Sequence, residues 1–515
     1  MKNLPIGIQT FQKLIDTNSI YVDKTQILHR LVTQGAYYFL SRPRRAGKSL
    51  LISTFKELFK GNKTLFKDLW IEPHWDWSQS SPVVHLSFDA MDYQTQSLAE
   101  CLTEELRECA KLYDIELTTN SFKQQFKELL KKLSEKHGRV VLLIDEYDKP
   151  IIDYLEAAKI EQAKANRDTL RDFYGVLKSS DGNLRFVFIT GISKFSRISL
   201  FSHLNNLEDI TVGRSFAALT GYTQEELEFY FAEYLEDICK TMKITREELL
   251  EQMKIWYNGY SWDGDVKVYN PFGTLNFLKK QEFHNYWIAT GNPRFLMDQM
   301  KNMAHFNMEN ISVNSIIFEK FDIENIEIIS LMFQTGYLTI KARDPRPSYY
   351  ILDYPNKEVR DSMYQFLMDD LAPSIYRKDT GRVMLDLNEA FLTKNLKQVR
   401  KILESILADL PSEAYIKQTE GLYHGLVHII FSYLGTFIQS EVHSSQGHAD
   451  TVVETPTDVF LFEFKFNKTA DAALTQIEEN DYAGKYRASG KTITAIGVNF
   501  SEKARGVDDW KEKTI

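Results

Sequence analysis

Four continuous apolar runs separated by helical stretches leave the first two hundred residues few ways to fold. The runs are Ala36-Tyr37-Tyr38-Phe39-Leu40, Pro82 to Phe88, Arg139 to Ile144 and Leu184 to Thr190. A strand that is apolar on both faces must be covered on both. Helices between successive strands supply that cover, so the pattern predicts a parallel α/β sheet. One core cannot serve the whole chain, because 515 residues exceed the ~100–200 of a typical domain several-fold. With 43% apolar and 26% charged residues, wholesale disorder is excluded. No apolar run approaches the ~20 residues of a membrane-spanning helix, and Met1-Lys2-Asn3-Leu4-Pro5 lacks the apolar core of a signal peptide. Cys101, Cys109 and Cys239 show no metal-ligand spacing and fit a reducing cytoplasm better than a disulfide framework. A net charge of −9 argues against a generic DNA-coating protein, while leaving room for a local basic groove.

No internal repeat, low-complexity tract or Pro/Gly/Ser-rich linker punctuates the chain, so domain limits follow the pattern of elements. Residues 1–215 form the α/β unit. Residues 216–290 read as a helical lid, with amphipathic stretches from Thr223 to Lys240 and from Thr245 to Trp256. Each opens on a capping box, Thr223 with Glu226 and Thr245 with Glu248. Residues 291–410 read as mostly helical, winged-helix-like in outline, with a strand expected at Tyr337-Leu338-Thr339-Ile340. Residues 411–515 switch to helix, three strands, helix and strand, which describes a separate α/β domain.

The first strand runs into Arg42-Pro43-Arg44-Arg45-Ala46-Gly47-Lys48-Ser49 and then a helix, Leu50 to Phe59. This fits the end of a phosphate-binding P-loop. Gly47 lets the backbone approach phosphate, with Arg45 beside it. Lys48 would reach the β- and γ-phosphates of ATP, and Ser49 would offer a hydroxyl to Mg2+ at a helix N-terminus. Arg42 stands where the pattern has its first glycine. A Gly-Lys-Ser tripeptide alone is usually an ordinary helix start, but here strand, loop and helix occur in the required order. The third run also ends in Asp145-Glu146, where the Asp would hold magnesium and the Glu would polarise the attacking water. The fourth ends in Thr190-Gly191. A polar residue at such a tip can contact the γ-phosphate, and Lys194 or Arg197 just beyond could stabilise developing charge.

Tyr21-Val22-Asp23-Lys24-Thr25, the Arg42–Ser49 loop, Ile144-Asp145-Glu146-Tyr147-Asp148 and Thr190 to Ser196 together resemble the bacterial AAA-ATPase-like family. In that family the missing first glycine is normal. Trp256-Tyr257-Asn258-Gly259-Tyr260, Tyr269-Asn270-Pro271-Phe272 and Tyr354 to Val359 extend the resemblance over nearly the whole chain. It implies an AAA-type P-loop ATPase core with an extra strand before Asp145, a helical lid and linker region, and a nuclease-like C-terminal domain.

Strand parity makes the last hundred residues informative. From Val459 to Phe466, one face is Phe460, Phe462, Phe464 and Phe466, which must be core. The other begins Val459, Leu461 and turns charged at Glu463 and Lys465. A hairpin through Thr455-Pro456-Thr457-Asp458 would bring Asp450 to the Glu463 end. Asp450, Glu463 and Lys465 then form the group of PD-(D/E)XK nucleases, in which two carboxylates bind Mg2+ or Mn2+ and the lysine acts on water and phosphate. Resemblance to that fold adds Glu420 as an accessory carboxylate on the leading helix, Glu441 in the first strand, and Gln476 in the following helix with Tyr482 beyond it. His448 and Asn480 stand where that family usually has basic residues. Residues 411–515 hold 10 Lys and Arg against 15 Asp and Glu, a net of −5, whereas phosphate-backbone binding favours the reverse. If Glu463 and Lys465 are solvated, replacing either changes folding by only ~0.5 kcal/mol.

His424 and His428 share a helix face with Glu420 but lack a third convergent metal ligand. Trp256, Tyr257, Tyr260 and Trp262 suit packing better than base stacking. Two functions compete. One is an ATPase that positions a metal nuclease on nucleic acid, DNA ahead of RNA. The other is a nucleotide-operated switch or assembly protein, a homo-oligomer in its assembled form, whose C-terminal domain binds nucleic acid or protein without cutting.

Overall fold

The computed structural model describes the chain apart from residues 195–199, 202–203, 288–295, 297–299, 301–307, 319–326, 372–379, 409–419, 436–438, 443–448 and 505. Two compact units emerge. The first comprises residues 1–295 and 309–359, and the second residues 296–308 and 360–515.

The first unit is built on a five-stranded sheet: β1 (Tyr37–Ser41), β2 (Val83–Ser87), β3 (Val140–Asp145), β4 (Leu184–Gly191) and β5 (Glu208–Asp209), in spatial order β2-β3-β4-β1-β5. Every pairing is parallel. All the side chains of β1 and β3 are buried, as their unbroken apolar sequence requires. Leu28, Leu31, Ile52, Phe55 and Phe59 from flanking helices join Val141, Leu143, Phe186 and Phe188 in one core. Register aligns the carboxyl ends: Ser41 lies beside Gly191, and Ser87 beside Asp145. Polar residues at these tips therefore meet along one edge, where ligands of open α/β sheets bind. Only β5 was not foreseen, because two acidic residues give no strand periodicity.

Both capping boxes exist as the sequence predicts. The expected helix from Thr223 to Lys240 is instead two, Gln224–Tyr230 and Ala232–Met242. Between them Phe231 leaves helical geometry (φ −112°, ψ 18°) while staying fully buried. Further along, β6 (Ile311–Asn314), β7 (Thr339–Arg343) and β8 (Tyr349–Asp353) form an antiparallel sheet in the order β6-β8-β7. Strand β7 starts two residues later than the sequence suggests. Gly336 at φ +90° ends the helix Ile328–Thr335, and the Tyr337 and Leu338 amides still bond back to the Met332 carbonyl.

Gly259 tests how tightly this region packs. Its φ is +109°, and an added Cβ would lie 1.9 Å from the Pro355 carbonyl oxygen. Gly259→Ala should therefore cost at least ~2 kcal/mol, since backbone strain and a backbone clash act together. Denaturant unfolding checks it, and a loss below ~0.5 kcal/mol would mean that Pro355 moves freely aside.

The second unit carries a sheet ordered β13-β12-β11-β10-β9: β9 (Gln439–Val442), β10 (Thr451–Glu454), β11 (Asp458–Phe466), β12 (Thr492–Ser501) and β13 (Gly506–Thr514). Only β11 and β12 run parallel, joined by the helix Ala470–Glu479. Phe460 and Phe462 pack on Phe391, and Phe462 and Phe464 on Phe431. On the opposite face Val459 and Leu461 meet Ile477. The expected all-phenylalanine face holds through Phe464, whereas Phe466 is only half-buried at the strand's end. Strand β13 was not anticipated. It is a charged edge strand with mostly exposed side chains, so its sequence lacks an apolar alternation.

Candidate functional site

Two sites take shape, one in each unit. In the first, β1 ends at Ser41 and the loop to helix Lys48–Phe59 contains two left-handed residues, Arg45 (φ +63°) and Gly47 (φ +99°). The kink at Gly47 leaves its Cβ position open, with no atom within 4 Å, which is the cradle a phosphate needs. Lys48, 5% exposed, donates from Nζ to the carbonyls of Arg42 (2.9 Å) and Pro43 (3.0 Å). Burial lowers its pKa, opposed by the charges of Glu146, Asp145 and Asp148.

Strand β3 delivers Asp145, buried and accepting a 2.6 Å bond from Thr190 Oγ1 at the tip of β4. Glu146 follows in a left-handed turn (φ +53°). Its carboxyl pKa is raised by burial, partly offset by Lys48. A cavity of about 440 Å³ is walled at this end by Arg45, Gly47, Lys48, Ser49 and Glu146. Asp145 and Thr190 stand outside that wall. Elsewhere Ile8, Val22, Tyr222, Phe272 and Leu275 line it, giving an apolar portion beside a cationic one. The donor set of a hydroxyl at Ser49 and a carboxylate at Asp145 suits a hard cation such as Mg2+.

Lys194 behaves differently from expectation, Asp148 has a part of its own, and one site residue falls outside view. Lys194 is 3% exposed and paired with Asp209 at 2.7 Å, so it is committed to the core rather than free for developing charge. Asp148, whose part the sequence did not reveal, is fully buried and accepts from the Ile192 amide and from the amide and hydroxyl of Ser193. It ties the turn after β3 to the turn after β4. Arg197 lies outside the described residues.

In the second unit the hairpin forms as expected. Thr451 pairs with Phe462, which sets Asp450 against the Glu463 end of β11. Asp450 Oδ2 accepts the Phe464 amide at 2.8 Å. Lys465 Nζ donates to Glu463 Oε1 (2.8 Å) and Gln476 Oε1 (2.6 Å), and both Gln476 and Asn480 donate to the Tyr482 hydroxyl. Glu463 is 1% exposed, so the small folding effect expected of a solvated carboxylate does not apply. Its Oε2 is buried with no hydrogen-bond partner, which fits a cation at that position. Burial and then the Asp450 charge push its pKa up to about 7.

Among the described residues no three His, Cys, Asp or Glu side chains converge as a metal cluster, so this site offers two carboxylates. Glu420 opens the helix Glu420–Leu434 and Glu441 lies in β9, but their side chains, those of His424 and His428, and all of His448 lie outside the described residues. Tyr257, Tyr260 and Trp262 are buried, consistent with packing. Among the described residues no helix is long and apolar enough to cross a membrane.

A raised carboxyl pKa opposes folding wherever the group would be ionised in the unfolded chain. For Glu463 the opposition is absent below about pH 4.5, grows as pH rises toward 7, and is constant above. Glu463→Gln should therefore raise stability at pH 8 by roughly 1–3 kcal/mol and by progressively less toward pH 4.5. Calorimetric melts of the full chain across that range check this. A gain independent of pH would show that Glu463 does not titrate as described.

Comparison with known proteins bears on the domain architecture of both units. Residues 5–201 match the family described as predicted AAA-ATPase, and residues 418–510 match the PD-(D/E)XK nuclease superfamily. An uncharacterized protein in the vnfD 5′ region of Azotobacter chroococcum mcd 1 is 39% identical, over 98% of this chain and 98% of its own length. The structure of the Aeropyrum pernix Orc1 protein in complex with DNA aligns with 66% of this chain and 92% of its own, at 9% identity and a TM-score of 0.24, too low to bear on function. The chain thus belongs to the AAA-ATPase-like family and ends in a PD-(D/E)XK nuclease-superfamily domain.

Proposed function

We propose that this protein binds and hydrolyses ATP in its N-terminal domain and cleaves phosphodiester bonds of nucleic acid, DNA ahead of RNA, in its C-terminal domain. The division proposed is an ATPase core at 1–215, a lid at 216–290, a linker domain at 291–410 and the nuclease domain at 411–515. Gly47, Lys48 and Arg45 hold the phosphates, and Ser49 and Asp145 hold Mg2+. Glu146 accepts the proton of the attacking water at its carboxylate, a role that its raised pKa suits. Thr190 keeps Asp145 in place through their 2.6 Å bond, and Arg197 is proposed as a further contact to the phosphates.

The observation that carries the nuclease reading is the meeting of Asp450, Glu463, Lys465 and Gln476, with one buried carboxylate oxygen unsatisfied. Asp450 and Glu463 hold Mg2+ or Mn2+, with Glu420 as an accessory ligand. A metal held there would supply polarisation of the phosphate and of the attacking water. Lys465 orients that water, and Gln476 holds Lys465. Since Glu463 must be ionised to bind a cation, cleavage should rise with pH through about 7.

The test is incubation of the full chain with single- and double-stranded DNA and RNA, in Mg2+ or Mn2+, with and without ATP. Cleavage in at least one condition is expected. Its absence in all of them would leave the nucleotide-operated switch, a reading favoured by the net −5 charge of residues 411–515.

A further inference from the structure

Arg42 stands where the P-loop pattern has its first glycine, and the structure shows what it does instead. Its side chain is 0% exposed and is not part of the cavity wall. One guanidinium nitrogen donates to the carbonyls of Ser41 (2.9 Å) and Thr211 (2.8 Å), and the Phe216 carbonyl lies 3.5 Å from the other. The guanidinium also lies over the Trp262 ring, 3.9 Å from its centroid. Trp262 belongs to the segment bridged by Tyr260 and Val268, far along the chain from the loop.

The backbone of the same residue has another partner. The carbonyls of Arg42 and Pro43 are the two acceptors of Lys48 Nζ. One residue farther, the Arg44 carbonyl accepts from the Trp287 indole at 3.0 Å. The loop is thus held from behind by Trp262 and Trp287 while it holds Lys48 in front. A flat guanidinium can bond to carbonyls in its plane and stack on a ring at once, which an ammonium cannot do.

We propose that Arg42, clamped on Trp262, is a positioning residue that sets where Lys48 meets the triphosphate. This rests on the ATP-binding reading above. As phosphate oxygens arrive, Lys48 must share or leave the Arg42 and Pro43 carbonyls. The loop keeps its shape through that exchange because its rear anchor is independent of the ligand.

The test compares Arg42→Lys, Trp262→Leu and Trp262→Phe with the parent and Lys48→Ala. Dissociation constants for ATP and for inorganic tripolyphosphate are measured beside melting temperatures. Arg42→Lys and Trp262→Leu should weaken both ligands by the same factor, roughly tenfold, a size usual for coupled neighbours. Trp262→Phe keeps an aromatic face and should recover most of the affinity lost in Trp262→Leu. The tripolyphosphate arm has no base or ribose, so an equal loss locates the effect at the phosphates.

Parental affinity in Arg42→Lys would overturn the proposal, as would indistinguishable Trp262→Leu and Trp262→Phe. Loss for ATP alone, or lower melting temperatures with unchanged affinity of the folded protein, would do the same. If Arg42→Lys does not fold, the Trp262 pair carries the test. If the parent binds neither ligand and Lys48→Ala changes nothing, the ATP reading itself has failed and this inference falls with it.

Discussion

ATP turnover by Glu146→Gln should fall about 10²–10⁴-fold, the range ascribed to a positioned general base, while ATP still binds. The substitution preserves shape but removes the carboxylate that takes a proton from water. Asp145 is untouched and keeps its 2.6 Å bond from Thr190, so the proposed magnesium ligand remains in place. Lys48→Ala should behave differently and lose tight ATP binding. Its amine is the cation resting on the loop carbonyls, and it neutralises phosphate charge in the ground state as well as during reaction. Equilibrium binding and steady-state turnover, measured on both variants, separate the two effects. Parental turnover in both would end the P-loop reading.

The second large effect concerns nucleic-acid cleavage. Asp450→Ala and Lys465→Ala should each reduce it at least ~100-fold, since metal-linked charge stabilisation amounts to several kcal/mol. Asp450→Ala also deprives the Phe464 amide of its acceptor, a loss of ~1–3 kcal/mol in stability if that amide stays buried. Asp450→Asn is the cleaner partner. It retains an acceptor oxygen for the amide and lacks the charge that binds metal, so cleavage should stop with the melt little changed. Lys465→Ala leaves both carboxylates, and divalent-cation binding measured by calorimetry should largely persist. ATP turnover should continue in all three variants. Cleavage that survives Asp450→Asn and Lys465→Ala alike would place the active site elsewhere.

Much of this architecture was legible because local pattern and long-range packing agree. Four apolar runs became β1 to β4, since a strand with no polar face can only sit inside a covered parallel sheet. Strand parity placed Glu463 and Lys465 on one face, and turn chemistry placed Asp450 opposite them, because a strand's period of two is set by backbone geometry. Strand β13 was missed for the complementary reason. Its pairing comes from backbone groups of β12, and its side chains carry no core signal.

What stayed hidden depends on partners distant in sequence. Asp148 could be read as part of a motif, yet its role as acceptor for Ile192 and Ser193 required two strand ends to lie side by side. Lys194 looked available until Asp209, on a short strand nobody would predict from two acids, claimed it. The burial of Glu463 arises from residues packed around β11, and that burial, which strand parity cannot report, raises its pKa. Arg42 is the sharpest case. The sequence marks it as a departure from a glycine pattern, whereas its use depends on Thr211 and Trp262, some 170 and 220 residues away. Periodicity and spacing specify which residues share a strand face or a turn. Desolvation and the identity of a buried group's partner are set by the tertiary fold, because they depend on every element that closes around it.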